Sequence, residues 1–218
     1  MLSDDSIERW LFSTLTVHGV LADGASVKER LVLETVPAGE EYLETIIRAV
    51  KTNKKIRMEY QRFGAESYEK VVAPYAIKLF HQRWYLLSFT GHHYATYALD
   101  RMLAVSLTDE DFEMPADFSP QNYFSEYFGV LTDETPLARV VIRAHNWTPN
   151  YLRTLPLHHS QREIATTEHY ADFSFDIRPT ADFLDELLKH GEGIEILKPL
   201  ALREKMRQML LTALHRYD

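Results

Sequence analysis

"HQRWYLLSF", residues 81–89, sets an arginine directly before a tryptophan and a tyrosine and then runs into apolar residues of the kind that are buried. The stretch reads as a strand, whose successive side chains fall on opposite faces. Arg83, Tyr85, Leu87 and Phe89 then share one face, and Trp84, Leu86 and Ser88 share the other. The same two-residue period holds on either side, in "KIRMEYQRF" (55–63), "YEKVVAPYAIKLF" (68–80), "HYATYALDR" (93–101) and "MLAVSLTD" (102–109). Short polar or Gly-containing joints at 64–67 and 91–92 separate these runs. Closely spaced strands of this type predict a small antiparallel barrel or a strongly bent sheet, because open edges are a liability.

The flanking segments change period. Upstream, Ile7, Trp10, Leu11 and Leu15 are spaced as one face of a helix, Leu31 and Leu33 alternate, and Pro37 and Gly39 break the chain. A second helix places Leu43, Ile46, Ile47 and Val50 together, with Glu40 and Glu41 at its start and Lys51 and Lys54 at its end, as the helix dipole favours. Downstream of the strands lies an acidic, aromatic linker with a short helical turn around 120–127. A mixed pattern follows: strands at 138–144, 162–168, 172–178 and 194–197, and helices at 148–154, 181–190 (Thr180 as cap, Gly191 as stop) and 200–216. The expected fold class is α+β. The expected organisation is an N-terminal helical region over 1–54, a β-barrel over 55–108, a linker over 109–136 and a two-layer α/β domain over 137–218.

Composition narrows the function. The chain has 218 residues, 45% of them hydrophobic, enough for a sizeable core. No run approaches the roughly 20 apolar residues of a membrane span, and Asp4, Asp5 and Glu8 do not resemble a secretion signal, so the expected location is the cytoplasm without membrane contact. Cysteine is absent, which removes disulfides and thiolate chemistry. The net charge of -8 argues against coating nucleic acid with the whole surface. Residues 48–101, however, hold ten basic and four acidic side chains, which suggests one anion-attracting module in an acidic body.

Enzyme signatures are missing. There is no Gly-rich phosphate loop, no nucleophile elbow and no H-E-x-x-H helix. The ten histidines include the adjacent pairs His92-His93 and His158-His159, whose spacing does not suit chelation, so neither a metal nor a cofactor is expected. The strands are the exception. Tyr60 and Arg62 share a face with Ile56 and Met58, and His93, Tyr97, Leu99 and Arg101 lie together. Guanidinium groups among tyrosines on apolar faces are costly if buried alone and useful if they meet an anion. The plainer possibility is that Arg101 pairs internally with Asp100, Glu59 or Glu69.

These residues resemble a family. Trp84-Tyr85-Leu86 is the signature triplet of WYL domains, and it stands after "IRMEY" (56–60) and "VVAPYAIKLF" (71–80) and before "YALDRM" (97–102), in the order that family shows. The C-terminal pattern, with "RPTADFLDELLKHGEGIEILKPLALREKM" (178–206), is similar to the extension that commonly follows WYL domains. The resemblance covers about residues 30–218 and implies a small Sm-like, SH3-type barrel with a basic aromatic pocket that senses nucleic-acid fragments or nucleotide-like ligands. It implies Tyr75, Lys78, Arg83, Tyr85, Tyr97 and Arg101 as site residues, with Arg62 beside them. In such regulators a winged helix-turn-helix precedes the sensor; residues 1–54 accommodate none, so the expectation is a sensor whose DNA-binding part lies outside this chain.

The leading expectation is therefore a non-enzymatic sensor of a transcriptional regulator that binds a nucleotide or single-stranded oligonucleotide and forms a homodimer. One rival is a dimerisation or protein-interaction module that binds no ligand. Another is a hydrolase built on Ser160 and the neighbouring His158 and His159, which needs a carboxylate beside the histidine.

Overall fold

Ile56, Met58 and Tyr60 are buried at alternate positions along β1 (Lys54–Gln61), the period expected of a strand with one face on a core. The structure is a computed structural model and describes residues 38–218. The helix expected near the start of the chain and the Leu31/Leu33 strand lie outside the described residues. β1 is central: β2 (Ser67–Phe80) pairs with it on one side and β5 (Met102–Asp111) on the other, both antiparallel.

β2 is long enough to serve two partners. Its first part pairs with β1, as in Ile56↔Val72, and its second part pairs with β3 (Arg83–Phe89), from Ala73↔Phe89 to Phe80↔Arg83. The register shifts between Pro74 and Ala76, where the proline has no N–H to give to the ladder. With β4 (Tyr94–Ala98) beside β3, the hydrogen-bonded order is β4-β3-β2-β1-β5. The sheet is strongly curled. Three strand spacings would part β1 from β4 by about 14 Å in a flat sheet, yet the Tyr60 and Tyr97 rings lie 5.0 Å apart. Among the described residues the ladder stays open between β4 and β5, so of the two expected forms the backbone takes the bent sheet. Leu86, Tyr97, Leu99 and Met102 join Ile56, Met58 and Tyr60 in one core, and Trp84 packs on it.

Helix α1 (Leu43–Thr52) covers this core with Ile46 and Ala49. Ile47, expected on that face, is 54% exposed, because the buried stripe runs through residues 42, 43, 46 and 49 and leaves it on the flank. A second difference affects the site. The "LDR" of 99–101 is a 3-10 turn between β4 and β5, not the end of a strand, and Arg62 lies just past the end of β1. Gly39 abuts this turn. Its φ is 109°, and a Cβ there would sit 2.5 Å from the Leu99 carbonyl carbon and 2.7 Å from the Asp100 nitrogen.

The C-terminal half forms a second antiparallel sheet, ordered β7-β8-β6-β9, from β6 (Ala138–His145), β7 (Arg162–Thr166), β8 (Tyr170–Ile177) and β9 (Ile194–Lys198). The expected strands and helices of this region are present within a few residues. Val140, Ile142, Ala144, Phe173, Phe175 and Ile177 fill its core. Leu152 of α3 (Thr148–Thr154), Phe183, Leu184 and Leu187 of α4 (Ala181–Leu188) and Leu202 of α5 (Leu200–Leu214) pack into the same cluster. Thr180 stands at the N-cap of α4 as expected, but its hydroxyl is buried without a hydrogen bond. The connecting segment carries α2 (Pro120–Phe124) and lies on the first sheet through Phe112, Phe118, Tyr123 and Phe124. Among the described residues no helix is long and apolar enough to cross a membrane.

The Gly39 contact gives a direct expectation. Gly39→Ala should destabilise the chain by about 2–4 kcal/mol, combining backbone strain with overpacking. Gly64→Ala and Gly91→Ala, which have positive φ but nothing within 4 Å of the added carbon, should cost only about 1–2 kcal/mol. Urea unfolding midpoints check this, and equal losses at the three sites would contradict the packing described.

Candidate functional site

The pairing Tyr60↔Met102 brings the tip of the β1–β2 hairpin against the turn before β5. Gln61, Arg62, Phe63 and Gly64 from the hairpin, with Asp100, Arg101 and Leu103, surround an open cavity of about 290 Å³. The Arg101 guanidinium lies 4.0 Å from the centre of the Phe63 ring, and Phe63 is 77% exposed. Beneath them, burial raises the Tyr60 hydroxyl above its usual range, with the nearby Arg101 charge opposing it. Burial likewise pushes Tyr97 up to about 12, against a smaller pull from Arg62. Both phenols are therefore neutral near pH 7 and serve as hydrogen-bonding groups.

The carboxylates available to neutralise Arg101 are engaged elsewhere. Asp100 Oδ2 lies 3.7 Å from Arg83 Nη1, Glu69 lies 3.6 Å from Arg57, and Glu59 accepts a 2.8 Å hydrogen bond from Ser67. Among the described residues neither Arg62 nor Arg101 has a carboxylate within 4.0 Å, and Arg101 Nε is buried without a hydrogen-bond partner. The sequence left open whether Arg101 pairs with Asp100, Glu59 or Glu69; among the described residues none of the three carboxylates lies within 4.0 Å of it. Two guanidinium groups with free donors beside an exposed ring can grip an anionic, planar ligand.

Two family models match the chain. A WYL domain matches residues 41–107, and a WCX domain matches residues 134–214. The chain carries a WYL domain followed by a WCX domain. No curated protein matches the chain in sequence. Among solved structures it is similar to the proteasome accessory factor B/C (PafBC) of Arthrobacter aurescens, at 19% identity over 83% of this chain, with a TM-score of 0.38. It is also similar to a CRISPR Cas-related protein, at 14% identity over 81% of this chain, with a TM-score of 0.49. The chain spans 29% and 52% of those two chains.

Within the WYL domain the seven expected site residues separate. Arg62 and Arg101 line the cavity, Arg83 reaches it through Asp100, and Tyr97 supports it from the core. Tyr75 instead sits in an aromatic cluster, 5.2 Å from Phe118, 5.6 Å from Phe112 and 5.8 Å from Tyr94. Lys78, paired with Tyr85 across β2 and β3, turns towards the connecting segment. Its Nζ donates to the Gly129 carbonyl at 2.6 Å and lies 4.2 Å from the Phe124 ring centre. Around it, Thr96 donates to the Val130 carbonyl, Asp182 of α4 accepts from the Val130 and Leu131 amides, and His81 lies 3.2 Å from Glu186. Lys78 thus helps to join the WYL sheet to the WCX domain. Phe63 and Asp100 are pocket residues that alternation did not reveal; the one available sign was an aromatic residue in the polar turn "RFGAES" (62–67).

The His158–Ser160 pair has a structural explanation. His158 Nδ1 lies 2.7 Å from the Ser160 hydroxyl, which also donates to the Asp176 carbonyl and accepts from the Asp176 amide. Burial pushes His158 down to about 4, and among the described residues its Nε2 has no partner and no carboxylate orients it as a base.

Lys78 gives a pH signature. Burial pushes it down to about 8 from 10.5. Between those values the unfolded chain holds a proton that the folded chain has lost, so stability rises with pH across the window. Urea midpoints of the parent chain should therefore gain from this residue between about pH 7.5 and about pH 9.5, and Lys78→Met should flatten the gain. Identical slopes for both proteins would contradict the burial of this charge.

Proposed function

We propose that this chain is the ligand-sensing region of a WYL-type transcriptional regulator, and that it binds a nucleic-acid fragment or nucleotide-like anion at Arg62 and Arg101. The observation that carries the reading is Arg101, a guanidinium without a carboxylate partner among the described residues, beside Arg62 and an exposed Phe63 at the mouth of a cavity. Guanidinium groups would hold phosphate and the aromatic ring would stack on a base. In this reading the curled WYL sheet is an open, strongly bent counterpart of the Sm-like fold, the WCX part is a two-layer α/β domain, and the chain works in the cytoplasm without catalysis. Response to the ligand requires it to prefer one arrangement of the two domains over another. The contacts of Lys78, His81 and Thr96 with the connecting segment and α4 are where that preference would register. DNA would be engaged by a winged helix-turn-helix outside this chain, in a homodimer.

A second reading is a protein-interaction module. Trp147 at the N-cap of α3, Tyr151 within it and Leu155 at its C-cap are 76, 67 and 76% exposed, three large apolar side chains at the surface of one short segment. That reading predicts self-association in analytical ultracentrifugation that Trp147→Ser with Tyr151→Ser abolishes, and no heat with any nucleotide.

Calorimetric titration with short single-stranded DNA, short RNA and cyclic dinucleotides separates the two. The sensor reading expects binding that weakens with salt and that falls by about tenfold or more in Arg62→Ala and in Arg101→Ala. Heat that both substitutions leave unchanged would remove the pocket from the account.

A further inference from the structure

We infer that Asp100 makes this pocket select a nucleobase, so that a base-bearing nucleotide enters it in preference to a bare phosphate or sugar phosphate. The inference rests on the reading of the Arg62–Arg101 cavity as the ligand site and adds which part of the ligand goes inside.

A pocket built only for phosphate would not carry a carboxylate in its wall. Asp100 lines the same 290 Å³ as Arg62 and Arg101, and a phosphate placed there meets a like charge within a few ångströms. One Asp100 oxygen makes a loose contact with Arg83 at 3.7 Å, longer than a hydrogen bond, and the other is buried with no partner. A carboxylate held by one loose contact turns about its Cβ–Cγ bond at little cost, because that torsion is broad. An ionised carboxylate only accepts, so it is completed by a donor.

Arg101 has the complementary need, with a buried Nε lacking an acceptor. Asp100 and Arg101 belong to one turn and both line the cavity, so an acceptor and a donor face the same space. The hydrogen-bonding edge of a nucleobase carries an N–H next to a ring nitrogen or carbonyl oxygen and satisfies both; a phosphate or a phosphodiester offers acceptors alone. Phe63 supplies an independent observation. Its ring is 77% exposed with the Arg101 guanidinium stacked 4.0 Å from its centre, which is a platform for a flat π-system. The cavity is at the small end of the range for ligand pockets, matched to one base with its phosphate left at the rim near Arg62.

The experiment titrates this chain with the four nucleoside 5′-monophosphates, ribose 5-phosphate and inorganic phosphate. At least one nucleotide should bind about tenfold or more tightly than ribose 5-phosphate. Asp100→Ala should bring the two within about twofold by weakening the nucleotide while ribose 5-phosphate binds as well or better. Asp100→Asn, which keeps the shape and one acceptor oxygen, should retain part of the preference. Phe63→Leu should weaken nucleotides and leave ribose 5-phosphate unchanged. If the parent chain binds ribose 5-phosphate as tightly as every nucleotide, or if Asp100→Ala weakens all probes equally, Asp100 does not read a base and the pocket is an anion site only. If neither these probes nor the oligonucleotides above bind at all, the pocket reading fails together with this inference.

Discussion

The packing of β1 against the core is the constraint on which the rest depends. Ile56, Met58 and Tyr60 point inward from one strand that carries β2 on one edge and β5 on the other. Because a shift of one residue would turn that whole face to solvent, the buried trio fixes the register of both neighbours. Fixed register is what sets the hairpin tip at 61–64 against the turn at 99–101. The same packing draws Tyr97 onto Tyr60, curling the sheet and supporting the pocket from below. Gly39 then holds the turn from outside through a backbone contact that admits no side chain.

Charge distribution follows from this geometry. Among the described residues the basic segment 48–101 pairs Arg57 with Glu69 and Arg83 with Asp100 within itself. Arg62 and Arg101 are left over where the chain turns, with no carboxylate within 4.0 Å among the described residues. Arg83, which holds Asp100, begins β3 two positions after His81, whose ring meets Glu186 of the WCX domain. A change at Asp100 therefore lies one hairpin turn from the contact between domains. His81 and Gln82 form that turn with φ of 46° and 62°, a conformation disfavoured for side chains larger than glycine and held here by the packing around it.

Much of this was legible in the sequence. Periods of two and of three to four placed nearly every described strand and helix, and the triplet at 84–86 with its flanking motifs identified the family. The site was legible only in part, for a physical reason. Alternation says which residues share a face, and along one bent strand that face passes from one cluster into another. Arg83 looks towards Asp100, whereas Leu87 and Phe89 on the same face belong with Tyr75 and the connecting segment. Lys78 was implied as a site residue by the family resemblance; its partners in the structure are a carbonyl and a ring 46 to 51 residues further along the chain, which no local pattern encodes. Arg62 and Arg101 were read as strand residues and belong to turns, where the free guanidinium groups can meet.

The central claim is that these two turns, and not the aromatic cluster or the contact between domains, receive the ligand. Amide chemical shifts of the isotope-labelled chain, followed by NMR while a short single-stranded oligonucleotide is added, test it most directly. The account predicts the largest shifts at Gln61–Gly64 and Asp100–Leu103, with smaller ones at Arg83. Shifts confined to the Lys78–Phe124 region or to α3, with the two turns unmoved, would contradict it.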